Sequence, residues 1–432
     1  MKNVLVKLGS MSKRHTSSDG AAPLASGGGT SAGPSIVEQQ LMRLRAADDA
    51  RKAREERLAN LNPFCIDATL VECLSTGHES VEDKLDAFKL LAKCGLNNIV
   101  LAAFVKEKTP DLKFLQAMRS QKLIDEHCFA FSELFDANGS DLPGQDLPFG
   151  LAKMIQFGIQ NAILGCDLAA PYINWDKCST EDFCALVENR CRWVAANLYA
   201  GRSSPPASYV HLRDFATAMQ VAPGRVLELV EYLGRLEPGV RPRGILVHEP
   251  AGGHFPFEAA PCVAAVRAVM DATGWTEGQQ QSGGGGGGGV LLVHVTAGYG
   301  LAHATVLECL AAGCGGVMAS LCEEAEPVPT SLSPASSSSS SSTSSACSLL
   351  DLVNLSRLGN PHVGRRFDMA QLRAAARQVS DMVRRAEQRQ QQQQQQVKEQ
   401  ENKSQTQQQQ EQPKATAAAS AHPRQPLILG HA

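Results

Sequence analysis

The chain has 432 residues, 43% of them hydrophobic, with a formal net charge of −3. That length exceeds one barrel of about 250 residues and leaves room for tails or insertions. Near-neutral charge without a long Lys/Arg block argues against nucleic acid or an anionic membrane as the main partner. No apolar run approaches the roughly 18–20 residues that span a bilayer, so the sequence predicts a soluble protein. Thirteen cysteines are scattered without a Cys-x-x-Cys pair, which reads as buried free thiols in a reducing, cytoplasmic compartment. The N-terminus has no secretory core of proper length and is read as a tail, with an organelle transit segment as the alternative.

In chain order, residues 1–35 read as a disordered Ser/Gly-rich tail and residues 36–59 as a charge-rich helix that caps the core or pairs two copies in a homodimer. The core is placed at 60–385. Its first strand is Cys65 to Val71. Ser80 then offers an N-cap, with Asp83 three residues on, before an apolar face at Val81, Leu85, Phe88 and Leu91. Gly95 ends that helix and Asn98 to Ala102 resumes a strand. Further strands are predicted at 127–133, 161–169, 208–214, 243–249, 290–296 and 315–321. Helices are predicted at 110–120, 150–158, 180–198, 223–236, 257–272, 300–312, 349–357 and 368–385. Low-complexity inserts at 279–289 (Gln- then Gly-rich) and 327–346 (Pro/Ser-rich) interrupt the core, and residues 386–432 form a Gln-rich tail expected to be disordered. Eight alternating units imply a parallel sheet closed as a (β/α)₈ barrel. The competitor is an open doubly wound sheet, whose Gly-x-Gly-x-x-Gly turn is absent after the first strand.

A barrel carries its chemistry at the strands' C-terminal ends. There the sequence sets Asp67, Thr69 and Glu72, then Glu133 and Asp136, Asp167, Arg213 and Asp214, His248 and Glu249, and His294 and Thr296. Strand alternation points Asp67 with Thr69, and His294 with Thr296. One carboxylate and one imidazole at the mouth make half of a divalent metal site. Each group also has a plainer reading: His294 as a hydrogen-bonded core histidine, Asp67 as half of an ion pair, Arg213 with Asp214 as a structural pair.

Ile66-Asp67-Ala68-Thr69-Leu70-Val71-Glu72 resembles the Asp-x-Thr-Leu-Arg-[Asp/Glu]-Gly opening of the pyruvate carboxyltransferase-type barrels, which include hydroxymethylglutaryl-CoA lyase, isopropylmalate synthase and homocitrate synthase. The stretch from His294 through Gly300 and Ala304 to Gly316 resembles the same family's His-x-His segment, and Ile245 to Gly252 with Pro256 is similar to its Asp-Thr-x-Gly…Pro segment. The resemblance implies a metal-dependent carbon–carbon lyase or acyltransferase acting on a 2-oxo acid or acyl-CoA through an enolate. It implies Asp67 and His294 as metal ligands, with Thr296 where the second histidine belongs. The ion would be Mg²⁺ or Mn²⁺, with Zn²⁺ as a further candidate. Val71 replaces the family's enolate-stabilising arginine, Glu72 keeps its acidic partner, and the asparagine ligand of the last motif has no counterpart. Glu72, Arg213, His248 and Glu249 are the candidate catalytic residues. The departures leave a second reading, a catalytically degenerate barrel that serves as a binding or regulatory protein.

Overall fold

A computed structural model describes residues 35–74, 79–104, 112–134, 147–170, 173–199, 207–250, 253–276, 288–297, 300–321, 344–345 and 348–411. The inserts predicted at 279–289 and 327–346 fall almost wholly outside these residues, as does Asp136. The chain divides into two units, residues 1–52 and 53–432. Helix α1 (Ile36–Asn60), whose residues 36–52 belong to the first unit, begins with a reciprocal cap: the Glu38 N–H donates to the Ser35 hydroxyl at 3.2 Å and the Ser35 N–H to the Glu38 carboxylate at 2.7 Å. Its apolar residues Ile36, Val37, Leu41 and Leu44 are exposed.

In the second unit eight parallel strands close on themselves: β1 (Phe64–Asp67), β2 (Ile99–Phe104), β3 (Cys128–Glu133), β4 (Asn161–Cys166), β5 (Tyr209–Leu212), β6 (Gly244–Glu249), β7 (Val290–Ala297) and β8 (Gly316–Ala319). Each pairs with the next and β8 returns to β1, so no edge is left open. This is the (β/α)₈ barrel the alternation predicts. A two-residue strand β9 (Ser344–Ser345) pairs antiparallel with the end of β7.

Two helices precede β2, α2 (Thr69–Glu72) and α3 (Val81–Lys93); α4 (Leu112–Ser120), α5 (Phe149–Phe157) and α6 (Thr180–Leu198) follow β2, β3 and β4. Then come α7 (Phe215–Val221) and α8 (Pro223–Gly234) after β5, α9 (Pro256–Ala272) after β6, and α10 (Ala302–Ala312) after β7. After β8 come α11 (Ser348–Arg357), α12 (Pro361–Arg366) and α13 (Met369–Glu411). Ser80, the N-cap read from the sequence, accepts from the Asp83 N–H at 3.0 Å. Ser179 and Asp182 add a capping box, and Gly158 ends α5 at φ +76°. No helix among the described residues is long and apolar enough to cross a membrane.

Alternation sorts each strand into two cores. Cys65, Leu101, Ala130, Leu164, Leu212, Val247, Val293 and Val317 face the helices. Ile66, Val100, Phe129, Ile163, Tyr209, Leu246, Leu292 and Met318 fill the barrel's interior. The described cysteines are free, and all but Cys262 are buried.

Two boundaries differ from expectation. The first strand stops at Asp67, and Thr69 to Glu72 form a helical turn instead of extending it. The Asp67 carboxylate accepts from the Thr69 N–H at 2.9 Å and the Thr69 hydroxyl from the Leu321 N–H at 2.8 Å, which bends the chain out of the sheet. The segment from residue 386, expected to lack structure, continues α13 as helix as far as Glu411. Packing of Leu372, Ala375, Val379 and Val383 supplies the costly nucleus, and glutamine is a good enough helix former to propagate it.

Candidate active site

Followed from its N-terminal to its C-terminal end, the barrel's inner face changes from apolar to polar. On β3, Phe129 and Phe131 lead to Glu133; on β5, Tyr209 leads to His211 and then Arg213; on β6, Leu246 to His248; on β7, Leu292 to His294 and Thr296; on β8, Met318 to Ser320. All of these polar groups are buried, His294, Thr296 and Ser320 completely. Burying polar groups is costly unless they are partnered, so a ring of them at one end asks for a purpose.

Two ionic contacts organise the ring. Arg213 grips Glu133 through two parallel bonds, Nη2 to Oε1 at 2.8 Å and Nη1 to Oε2 at 3.1 Å. Fork-to-fork geometry of this kind fixes a guanidinium in orientation as well as place. Gly165 on β4 makes room for it: a Cβ there would lie 2.4 Å from Arg213 Nη2 and 3.1 Å from Glu133 Oε2. On the other side, α2 aims Glu72 inward. The Ser320 hydroxyl donates to Glu72 Oε2, and Glu72 Oε1 lies 2.9 Å from His294 Nε2, close enough to pair yet off the line of a formed hydrogen bond.

Between these contacts stand three imidazoles from neighbouring strands. The His248 and His294 rings stack at 4.2 Å and 11°, and those of His211 and His248 at 4.9 Å and 24°. One nitrogen from each lies within 4.8 Å of the others, and none of the six ring nitrogens makes a hydrogen bond. Burial drives His211 and His248 well below the usual histidine range, helped by the Arg213 charge and the neighbouring rings, so both are neutral at neutral pH. Neutral imidazoles with open nitrogens have the donor chemistry that a metal ion takes.

The carboxyls beside them are shifted the other way. Burial raises Asp67 to about 7 against the Thr69 hydrogen bonds, and raises Asp167 against the pull of Arg213. Asp167 follows β4 on the inner face two residues past Gly165, and its Oδ1 accepts from the Ala169 N–H at 3.1 Å.

Of the residues singled out from the sequence, Glu72, Arg213, His248 and His294 meet around the mouth. Thr296 is buried two residues beyond His294, opposite Ser345. Asp67 pairs in register with Ile99, on the helix-facing side of β1, and belongs to no three-donor cluster among the described residues. Glu249 lies opposite Val295, on the other face from His248, with Oε2 3.8 Å from His254 Nε2. His211 and Ser320 are additions that sequence reasoning missed, and Asp167 was noted only as a strand-end polar group. A signal for His211 was present: Val210-His211, Val247-His248 and Val293-His294 repeat one dipeptide in the second half of three successive strands.

No protein-family profile and no curated protein sequence matches the chain. Solved structures do. The hydroxymethylglutaryl-CoA lyase of Pseudomonas aeruginosa aligns with a TM-score of 0.51 at 13% identity, over 75% of this chain and 93% of that one. The lyase of Brucella melitensis gives 0.50 at 13% identity, over 75% and 99%. That of Acinetobacter baumannii, in complex with coenzyme A and 3-methylmalate, gives 0.51 at 13% identity, over 76% and 92%. The chain therefore has the barrel fold of the hydroxymethylglutaryl-CoA lyases, the fold that its strand-end motifs resemble.

Proposed function

We propose that the chain is a carbon–carbon lyase or acyltransferase that works on a 2-oxo acid or acyl-CoA through an enolate. The observation that carries this reading is Arg213, held bidentate by Glu133 at the C-terminal mouth beside the imidazole cluster. Val71 stands where the resembling family has its enolate-stabilising arginine, and Arg213 presents an oriented cation from β5 in its place. The Acinetobacter lyase holds coenzyme A and 3-methylmalate, the carrier thiol of acyl-CoA and a 2-hydroxy diacid, which supports a substrate of this general kind.

The residues divide the work as follows. Arg213 donates N–H bonds to the substrate oxygen on which negative charge grows as the enolate forms. Asp167, a carboxyl pushed upward by burial beside that cation, takes a proton from the substrate and returns it, as carboxyls of raised pKa do in general acid–base catalysis. In the cleavage direction the hydroxyl proton leaves to Asp167, the carbon–carbon bond breaks, its electron pair forms the enolate, and the proton is delivered to carbon. The apolar lower core shuts off the far end of the barrel from water. A divalent ion fits His211, His248 and His294, whose ring nitrogens form no hydrogen bond and of which only His294 Nε2 faces a carboxylate, and when bound it would polarise the substrate carbonyl.

The test is exchange of α-protons for deuterium, followed by NMR, in pyruvate, other 2-oxo acids and short acyl-CoA thioesters with metal-replete protein. Exchange is expected for at least one substrate, falling about 10²–10³-fold in Arg213→Met and by a comparable factor in Asp167→Asn. Absence of exchange across the whole panel would falsify the enolate reading.

A further inference from the structure

The three imidazoles have a consequence for which ion this barrel takes. We propose that His211, His248 and His294 form a nitrogen-rich site selective for a borderline transition ion of the Zn²⁺ and Co²⁺ class over Mg²⁺ and Mn²⁺, with Glu72 and Ser320 positioning His294. It deepens the preceding proposal, which it needs only for the catalytic use of the ion.

Buried side-chain polar atoms in folded proteins nearly always have a partner. Here six nitrogens in one chamber lack a hydrogen bond, so the demand is collective. Ordinary core histidines on three neighbouring strands would each find a backbone carbonyl or a hydroxyl. These instead stack ring on ring at 4.2 and 4.9 Å, with one nitrogen from each inside a span of 4.8 Å. Neighbouring donors of a tetrahedral zinc ion, each about 2.0–2.1 Å from it, lie about 3.3–3.4 Å apart, so the widest pair must close by roughly 1.4 Å. The rings, stacked at 11° and 24°, turn on their χ angles to aim their in-plane lone pairs at one point as the ion enters.

Ligand chemistry then decides the ion. Mg²⁺ takes oxygen ligands and keeps several waters, whereas imidazole favours Zn²⁺, Co²⁺ and their neighbours. Three histidines with a position left open are also the protein contribution to a catalytic zinc site. Glu72 fits the supporting role. Its Oε1 lies 2.9 Å from His294 Nε2, and its other oxygen is fixed by Ser320, so with that contact kept Nδ1 is the His294 nitrogen that would ligate. A carboxylate behind a ligating histidine sets its tautomer and raises its basicity. Asp67, on the other face of β1, takes no part.

The test is competitive equilibrium dialysis of the full chain, freed of metal, with Zn²⁺, Co²⁺, Mg²⁺ and Mn²⁺, together with the visible spectrum of the Co²⁺ form. One Zn²⁺ or Co²⁺ per chain should bind, with intense cobalt bands of low coordination number and a raised melting midpoint; Mg²⁺ should produce neither. His211→Phe and His248→Phe should each abolish the cobalt spectrum. Glu72→Gln should weaken binding by about 10–100-fold and alter the spectrum without removing it. Should either histidine variant fail to fold, the contrast between Zn²⁺ and Mg²⁺ in the wild-type melting midpoint decides alone. Zinc bound equally well after both substitutions, or Mg²⁺ bound as tightly as Zn²⁺, overturns the site. Zinc binding without α-proton exchange leaves the site standing and removes the lyase reading. Exchange supported by Mg²⁺ in protein that ignores zinc does the reverse.

Discussion

The lower and upper halves of the barrel's interior are built from the same strands and differ in almost every other respect. Below, Phe129, Tyr209, Leu246 and Leu292 fill the closed end, with the Tyr209 ring 6.3 Å from Phe129 and 6.2 Å from Phe64. Above, two residues further along their strands, the inward positions hold His211, His248 and His294, and two further still stand Arg213 and Glu133. The lower half gains stability from area removed from water, about 1.5–3 kcal/mol for a fully buried large side chain. The upper half spends stability, because open nitrogens and buried charges cost more than apolar atoms in the same place. Folding strength and chemical capacity are thus segregated along the barrel axis.

Substitutions can probe that division. The largest effect belongs to the lower half: Phe129→Ala should cost about 3–5 kcal/mol in denaturant unfolding, because the surrounding rings cannot collapse into the space. Metal binding per folded molecule should be unchanged; lost binding in a still-folded variant would show that the two halves are not separable. Next, Arg213→Met should cost about 3 kcal/mol by leaving Glu133 buried and alone, the low end of the usual range because a carboxyl can take up a proton. Adding Glu133→Leu should recover most of that stability but none of the exchange activity. A double variant no more stable than the single one would mean that the pair is held for folding after all.

A smaller, pH-dependent effect comes from Asp67, whose carboxyl is raised by burial from 3.8 to about 7. The folded state holds this proton between those values and the unfolded state does not. Its contribution is therefore fully present below about pH 4 and is lost as pH rises through about 7. Asp67→Asn removes that loss, so the variant should gain on the wild type by on the order of 1 kcal/mol per pH unit between about pH 5 and 7. Parallel stability curves for the two proteins across that window would count against a protonated Asp67.

The barrel was legible because its strands carry the signal that matters most, apolar runs of four to eight residues alternating with helical periodicity. Local chemistry was legible where a single side chain governs it, as at the Ser80 cap. The short helix α2 was not, because its cause is the Thr69–Leu321 hydrogen bond, a contact across 252 positions of sequence. For the same reason motif matching could not reveal that Glu72, carried inward on that helix, meets His294, while Asp67 faces the helices. His211 escaped because single-residue reading treats one histidine in Tyr-Val-His-Leu as ordinary, and only strand adjacency makes it the third of a set.

Helix α13 outlasts the barrel it packs on. Its buried residues end at Ala386, and it then runs through seven consecutive glutamines, Gln390 to Gln396, of which all but the half-buried first are exposed. Each residue added to a helix turns everything beyond it by about 100° and advances it about 1.5 Å. In a packed helix that rotation would carry apolar side chains off their seats. Here no residue from Val397 to Ser404 is buried, so lengthening or shortening the repeat leaves the core contacts of the residues before it where they are. Among the described residues, the number of glutamines is therefore set by nothing in the packing of the barrel.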